Sequence, residues 1–73
     1  MAKNAKVSIA DARAIASKAR PGQITDEELE KEVGGSGFRY SFDIKNGTTT
    51  YEVGIDAQTG AILENAPEGK NPD

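Results

Sequence analysis

The chain contains no cysteine and no histidine among its 73 residues. Without cysteine it forms no disulfide and has no thiol nucleophile or thiolate metal ligand. Without histidine it lacks the commonest general base and the imidazole ligand of most zinc sites. Nucleophile pairs that depend on histidine are therefore excluded. We expect no catalytic residues, no cofactor and no bound metal.

Large apolar side chains are also scarce, and aromatic residues make up only 5% of the chain. A chain of this length forms one domain at most, with a core that is just sufficient for folding. Such a core leaves no room for a deep pocket, which argues against an enzyme. The candidate core residues are Val7, Ile9, Ile15, Ile24, Leu29, Val33, Phe38, Tyr40, Phe42, Ile44, Tyr51, Val53, Ile55, Ile62 and Leu63.

Long hydrophobic runs are missing as well. No stretch approaches the roughly 18 apolar residues that a membrane-spanning helix needs, and no apolar segment of a secretory signal is present.

The net charge is −3 and unevenly distributed, with five cations and one anion in residues 1–20 but four cations and eleven anions in residues 21–73. Because nucleic-acid binding depends on neutralising phosphates, the acidic balance argues against a nucleic-acid partner.

The N-terminal part of the sequence predicts one helix. Ser8 followed by Asp11 is typical of a helix N-terminus, and an alanine-rich segment without glycine or proline follows from Ile9 to Ala19. Pro21 and Gly22 end it, because proline disfavours helical geometry in the preceding residue. A predicted buried stripe recurs at helical spacing and consists of Ile9, Ala12, Ile15, Ala16 and Ala19.

Residues 23–33 are ambiguous on local propensity. Thr25 and Glu28 form a possible capping box, and Leu29 with Val33 has helical spacing. Several carboxylates crowd the same segment, and Ile24 and Leu29 have opposite strand parity. Local propensity therefore favours a short helix, whereas the family resemblance described below favours a strand with a bulge.

The clearest segment follows the predicted turn at residues 34–37. Apolar and polar residues alternate from Phe38 to Lys45 and again from Thr49 to Ile55, as in half-buried strands. Asn46-Gly47 is the strongest two-residue hairpin signal, and a one-residue slip would move every apolar residue to the other face. The register predicted from this turn pairs Lys45 with Thr48, Ile44 with Thr49, Phe42 with Tyr51, Tyr40 with Val53 and Phe38 with Ile55.

A second turn is predicted at residues 56–60, where Asp56 accepts local backbone hydrogen bonds and Gly60 takes the left-handed conformation. A short last strand then runs from Ala61 to Glu64. We expect a disordered arm over residues 1–6, a folded domain over residues 7–64 and a disordered tail over residues 65–73. The predicted architecture is α+β, with one amphipathic helix on a four-stranded antiparallel meander.

Three segments together resemble the PepSY domains found in propeptides of thermolysin-like metallopeptidases. These are SIADARAIASKARPGQI, DEELEKEVGG with FRYSFDIKNG, and TTYEVGIDAQTGAILE, the last being the most specific. The resemblance covers roughly residues 7–64. It implies a cystatin-like helix-on-sheet fold, an extracytoplasmic location (periplasm, cell surface or secreted) and a role in restraining peptidases or modulating other envelope proteins.

One candidate binding element is the acidic strand. Its carboxylates could bind a cationic partner or weakly hold calcium through oxygen ligands, but the simpler and favoured interpretation is a solvated strand face whose charges discourage edge-to-edge aggregation. The spacing of an EF-hand loop is absent. The residues of this candidate partner-binding strand are Asp26, Glu27, Glu28, Glu30 and Glu32.

Other features have simpler interpretations. Asp56 and Glu64 form no glycosidase-type pair, because the chain is too small for a sugar cleft. The aromatic residues of the hairpin are predicted to pack in the core rather than stack on bases, and the basic helix residues Arg13, Lys18 and Arg20 are ordinary surface cations.

The sequence therefore predicts a non-catalytic module that binds a protein partner, either a peptidase or another extracytoplasmic protein. The alternative is an accessory or sensory envelope domain that binds a small ligand or cation without inhibiting a peptidase. The oligomeric state does not follow from the sequence.

Overall fold

One helix and four strands make up the part of the chain that the computed structural model describes, residues 7–31 and 37–68. The strands form one antiparallel sheet in the order β1-β2-β3-β4, which confirms the predicted α+β meander. The predictions for residues 1–6, most of the turn at 34–37 and residues 69–73 lie outside the described residues. The elements are α1 (Ile9–Ala19), β1 (Gln23–Lys31), β2 (Phe38–Asn46), β3 (Thr49–Asp56) and β4 (Ile62–Pro67).

The helix begins and ends as predicted. The Ser8 hydroxyl accepts a hydrogen bond from the Asp11 backbone N–H at 3.1 Å, which satisfies one of the free donors of the first turn. Ala12 and Ala16 are fully buried, because their small side chains let α1 lie close to the two central strands. The prediction of a longer buried stripe is wrong at Ile9, which is 36% exposed.

The ambiguous segment is strand β1, paired with β2 along its length. Pairing with a neighbouring strand thus overrides the local helix propensity. The predicted bulge lies between Ile24 and Asp26. It resolves the parity conflict, since the extra residue Thr25 allows Ile24 and Leu29 to share the face that carries the buried residues of β2.

The predicted hairpin is confirmed, but its register is wrong by two residues. Strand β2 extends to Asn46, whose side chain donates a hydrogen bond to the Pro21 carbonyl at 2.7 Å, and the turn is Gly47-Thr48. Because side chains alternate with a period of two, a two-residue shift leaves each on its own face, so alternation alone cannot distinguish the registers. The observed pairs are Asn46–Thr49, Lys45–Thr50, Ile44–Tyr51, Phe42–Val53 and Tyr40–Ile55.

The last strand is longer than predicted. It ends at Pro67 rather than Glu64, so residues 65–67 belong to β4 and not to a tail. The side chain of Asn65 explains part of this extension, because its Oδ1 accepts a hydrogen bond from Arg20 Nε at 3.0 Å. Pairing with β3 continues to the end of the strand, where the Glu68 N–H donates to the Thr50 carbonyl at 2.8 Å.

The core lies between α1 and the two central strands. The helix contacts β2 and β3, so several apolar side chains on the two edge strands are left uncovered, although Ile24 of β1 packs against the core. Leu29 on β1 is 54% exposed and Ile62 on β4 is 50% exposed, contrary to their prediction as core residues, as is Leu63. The buried core consists of Ala12, Ala16, Tyr40, Phe42, Ile44, Val53, Ile55 and Ala57.

Candidate functional site

The face of the sheet opposite α1, here called the open face, is the most strongly charged surface of the described chain. Side chains alternate between the two faces of a strand, so the polar residues of all four strands collect on the side that the helix does not cover. Within residues 7–31 and 37–68, the open face carries Asp26, Glu28, Glu30, Asp43, Glu52, Glu64 and Glu68 against the cations Arg39 and Lys45.

A shallow concavity of about 200 Å³ lies among these carboxylates. Glu28 of β1 and Glu68 beyond β4 line opposite sides of it, and Ser41 of β2 lies between them. The concavity is thus built by residues that are distant in sequence. Its wall has almost no apolar surface, so it suits a charged group rather than an apolar ligand.

Arg39 is the centre of the open face. Its Nε donates to Ser41 Oγ and its Nη2 donates to Glu64 Oε1, both at 2.9 Å. The same guanidinium lies 3.6 Å from Glu52 and 3.9 Å from Glu30, while Ser41 Oγ donates to Glu30 Oε1 at 2.8 Å. One cation on β2 therefore connects β1, β3 and β4. Its side chain is only 13% exposed, which strengthens these interactions compared with those of a solvated arginine.

Gly54 provides the space for this arrangement. A Cβ built on Gly54 would overlap the Arg39 guanidinium, which lies flat across β3 at that point. Gly54 does not have a left-handed backbone, so the residue is required for close approach and not for conformation. A glycine inside an alternating strand is a known sign of such an approach. That signal was present in the sequence, but it did not identify the partner.

The carboxylates of the open face repel one another. The pKa of Glu28 is raised by its hydrogen bond with Glu30 and by the negative charges of Asp26 and Glu30. Partial burial raises the pKa of Glu52, and the charge of Glu64 adds to the effect, although the guanidinium opposes it. Negative charge is thus in excess on this face even after Arg39 is counted, and a cationic partner would relieve the repulsion.

The structure separates the five residues of the predicted acidic strand. Asp26, Glu28 and Glu30 lie on the open face, as expected from strand alternation after the bulge. Glu27 lies on the other face, where its two carboxylate oxygens accept hydrogen bonds from Arg13 at 3.0 and 2.9 Å. That hydrogen bonding lowers the pKa of Glu27 and raises the pKa of Arg13. Glu32 lies outside the described residues.

The remaining residues of the open face were not predicted as part of a site. Asp43, Glu52, Glu64 and Glu68 belong to three different regions of the sequence, and only the sheet brings them beside β1. Among the described residues, no three acidic side chains converge closely enough to hold a metal ion. The geometry therefore gives no support to the calcium hypothesis for the acidic run.

Other candidate features have structural roles. Asp56 is buried, and its Oδ1 accepts hydrogen bonds from the N–H groups of Gln58 at 2.8 Å and Thr59 at 3.1 Å, as predicted for turn chemistry. Of the predicted basic helix residues, Arg13 pairs with Glu27. Arg20 stacks on the Tyr51 ring, with the guanidinium carbon 3.9 Å from the ring centroid. These cations stabilise the fold.

The aromatic residues of the hairpin pack mainly in the core, as predicted. Tyr40 and Phe42 are buried, and the Tyr40 hydroxyl donates to the Val7 carbonyl at 2.8 Å. No helix in the described part of the chain is long and apolar enough to cross a membrane.

Within residues 7–31 and 37–68, a helix packs on one face of a four-stranded antiparallel sheet and leaves the other face charged and uncovered, which defines a small α+β domain. The chain belongs to the PepSY family, because the family model described as "Peptidase propeptide and YPEB domain" matches residues 6–65. Domains of this family are propeptide-type regulatory modules, generally non-catalytic and typically extracytoplasmic. No curated protein and no solved structure matches this chain.

Proposed function

We propose that this PepSY domain is a non-catalytic module that binds and restrains a peptidase or another extracytoplasmic protein. The observation that carries the proposal is the open face, an ordered surface with carboxylates from every strand and no covering element among the described residues. Membership of a family of propeptide-type modules supports a peptidase or another extracytoplasmic protein as the partner. The proposed partner presents a basic surface to this face.

The charges of the open face favour recognition by a partner rather than chemistry. The carboxylates closest to Arg39 are held in hydrogen bonds or ion pairs, so this part of the face is a connected acidic surface. Excess negative charge speeds association with a basic surface and disfavours acidic competitors. The concavity of about 200 Å³ is smaller than a typical substrate pocket, and the sequence provides no histidine or cysteine.

The first test is an inhibition titration of the purified domain against a thermolysin-like metallopeptidase, with intact-mass analysis to detect cleavage of the domain. We expect inhibition at micromolar or lower concentrations with the domain uncut. The inhibition should weaken as salt is raised, because exposed charge interactions are screened.

Two variants with the same change in charge locate the binding surface. Glu28→Lys reverses an exposed charge on the open face, whereas Asp11→Lys reverses an exposed charge on the helix. We expect the first variant to weaken inhibition and the second to leave it close to wild type. Equal losses in both variants would contradict the open face as the binding surface.

Rapid digestion of the domain, or no inhibition, would contradict a restraining role against that peptidase. The alternative, an accessory domain for a small ligand or cation, then predicts that the ligand raises the thermal unfolding midpoint by mass action. Melting with and without calcium tests its simplest form.

A further inference from the structure

Strand β1 is an edge of the sheet. Within residues 7–31 and 37–68 it is hydrogen-bonded to β2 alone, so the backbone groups along its other side point outward over Gln23–Lys31. An edge of this kind is a template on which an extended segment of another chain can form hydrogen bonds. With nine residues, β1 is long enough to pair with a complete strand.

The opposite edge is less suitable for strand addition. Strand β4 has six residues and ends at Pro67, which has no backbone N–H to donate. A register shift between Gly54 and Ile55 interrupts the ladder that joins it to β3. Strand β1 contains no proline, and its bulge lies near its N-terminal end, so residues 26–31 pair with β2 without interruption.

The two sides of β1 differ in chemistry, which specifies the segment that would pair with it. Asp26, Glu28 and Glu30 form a row of carboxylates on the open face. On the helix side, Leu29 is 54% exposed, and Glu27 is already neutralised by Arg13. A strand added to this edge would therefore meet negative charge on one side and an uncovered apolar side chain on the other.

We propose that the outer edge of β1 receives an extended segment of the partner in which basic residues, facing the open side, alternate with apolar residues that cover Leu29. The inference rests on the proposed function and names the kind of partner segment that this surface binds. Backbone hydrogen bonds would provide much of the affinity, and the alternating side chains would provide specificity. The segment extends the sheet to five strands.

The same charges disfavour a second copy of this chain as the occupant. In an antiparallel continuation of the sheet through two β1 strands, the acidic rows of both copies would lie on the same face. Like charges opposite each other across strands are destabilising, and Glu28 already experiences repulsion from Asp26 and Glu30 within one chain. The edge is thus protected against self-association and open to a cationic strand.

The probe is a monomeric peptide of ten residues, capped at both ends, in which lysine and valine alternate. The first control peptide has the same composition in a different order, with lysines at adjacent positions, so that its charges are divided between the two sides of the strand. The second is the alternating peptide with an N-methyl group on every backbone nitrogen, which blocks hydrogen bonding along both of its edges. Binding is followed by NMR titration and by amide hydrogen exchange of the full chain.

We expect the alternating peptide to slow exchange at alternate amides of β1, and both control peptides to bind at least about tenfold more weakly, as loss of edge pairing predicts. Glu28→Lys should weaken binding by about tenfold, as expected for a cross-strand pair that changes from attraction to repulsion. Asp11→Lys makes the same change on the helix, away from the open face, and should alter binding by less than about twofold.

A charge exchange completes the test. A peptide with glutamate in place of lysine should bind Glu28→Lys more tightly than it binds the wild type, which a loss of folding in the variant cannot produce. The inference would be overturned if the N-methylated peptide bound as tightly as the unmethylated one, or if amides of β4 were protected instead of amides of β1. The partner would then bind the open face without adding a strand to the sheet. If the peptide binds at β1 but the domain does not inhibit the peptidase, the restraining role is rejected and the β1 edge remains a binding site for an extended segment.

Discussion

The two faces of the sheet are built from the same strands and are stabilised in different ways. On the covered face, Phe42, Ile44, Val53 and Ile55 are fully buried against α1, and their contribution is apolar burial. On the open face, Arg39 joins carboxylates of the neighbouring strands by hydrogen bonds and ion pairs. Adjacent residues of one strand therefore stabilise the fold through different interactions. Mutations on the covered face should remove apolar burial, and mutations on the open face should remove hydrogen bonds and ion pairs.

The largest expected effect is on the covered face. Phe42→Ala removes the largest fully buried side chain, and we expect it to lower the free energy of unfolding by about 3–5 kcal/mol. Because small domains are only marginally stable, this variant should be largely unfolded at room temperature. Leu29→Ala is the control, and since Leu29 is 54% exposed it should cost less than about 1 kcal/mol. Urea denaturation followed by circular dichroism measures both.

The second effect is on the open face. We expect Gly54→Ala to lower the free energy of unfolding by about 1–3 kcal/mol, because the added methyl group displaces the Arg39 guanidinium. In an Arg39→Ala background that guanidinium is gone, so Gly54→Ala should be almost neutral. A double-mutant cycle by urea denaturation measures the coupling. The same cost in both backgrounds would show that Gly54 is required for the backbone and not for Arg39.

A third prediction compares two arginines. Arg13 pairs with Glu27 on the helix side, but their side chains are 44% and 34% exposed, so Arg13→Met should lower the free energy of unfolding only slightly. This cost should fall at high salt. Arg39→Met should cost more and respond less to salt, because the Arg39 side chain is 13% exposed. Denaturation at low and high salt tests the difference, and equal salt dependence would contradict it.

The smallest effect concerns pH. The pKa of Glu52 is raised in the folded state, so its ionised form opposes folding above that pKa, and the penalty is relieved as pH falls through the folded pKa toward the ordinary value of 4.5. Glu52→Gln should therefore raise the unfolding midpoint at neutral pH and flatten this part of the pH profile.

Glu27 provides a control with the opposite sign. Its pKa is lowered by the hydrogen bond from Arg13, so it stabilises the fold above the unfolded pKa, and that contribution is lost as pH falls through the folded pKa. Glu27→Gln should lower the midpoint at neutral pH. Thermal melts of both variants across the acidic range at low salt would reveal the two signs, and a lower midpoint for Glu52→Gln at neutral pH would contradict the repulsion described here.

The acidic strand illustrates how much of the candidate site could be predicted from the sequence. Its carboxylates were identified from composition, but their division between faces depends on the bulge after Ile24. Without the bulge, alternation places Ile24 and Leu29 on opposite faces. It then does not tell which acidic residues of the strand share a face with the core and which lie on the other side. Asp43, Glu52 and Glu68 gave no signal, because each is an ordinary polar residue of its own strand and becomes part of the site through pairing across the sheet.

The sequence by itself determined the helix, the two alternating central strands and the hairpin between them, because each depends on local periodicity or on the chemistry of a turn. It also determined which side chains face the core on the two central strands. These features require no knowledge of distant residues, so a correct pattern is sufficient.

Only the tertiary structure decided the hairpin register, the strand conformation of β1 and the contact between Arg39 and Gly54. A two-residue register shift keeps each side chain on the same face of the sheet. Contacts such as the hydrogen bond from the Asn46 side chain to the Pro21 carbonyl therefore decide the register. The strand β1 exists because β2 pairs with it, against its local propensity. Contacts between residues distant in sequence leave no periodic trace, and the open face is made of such contacts.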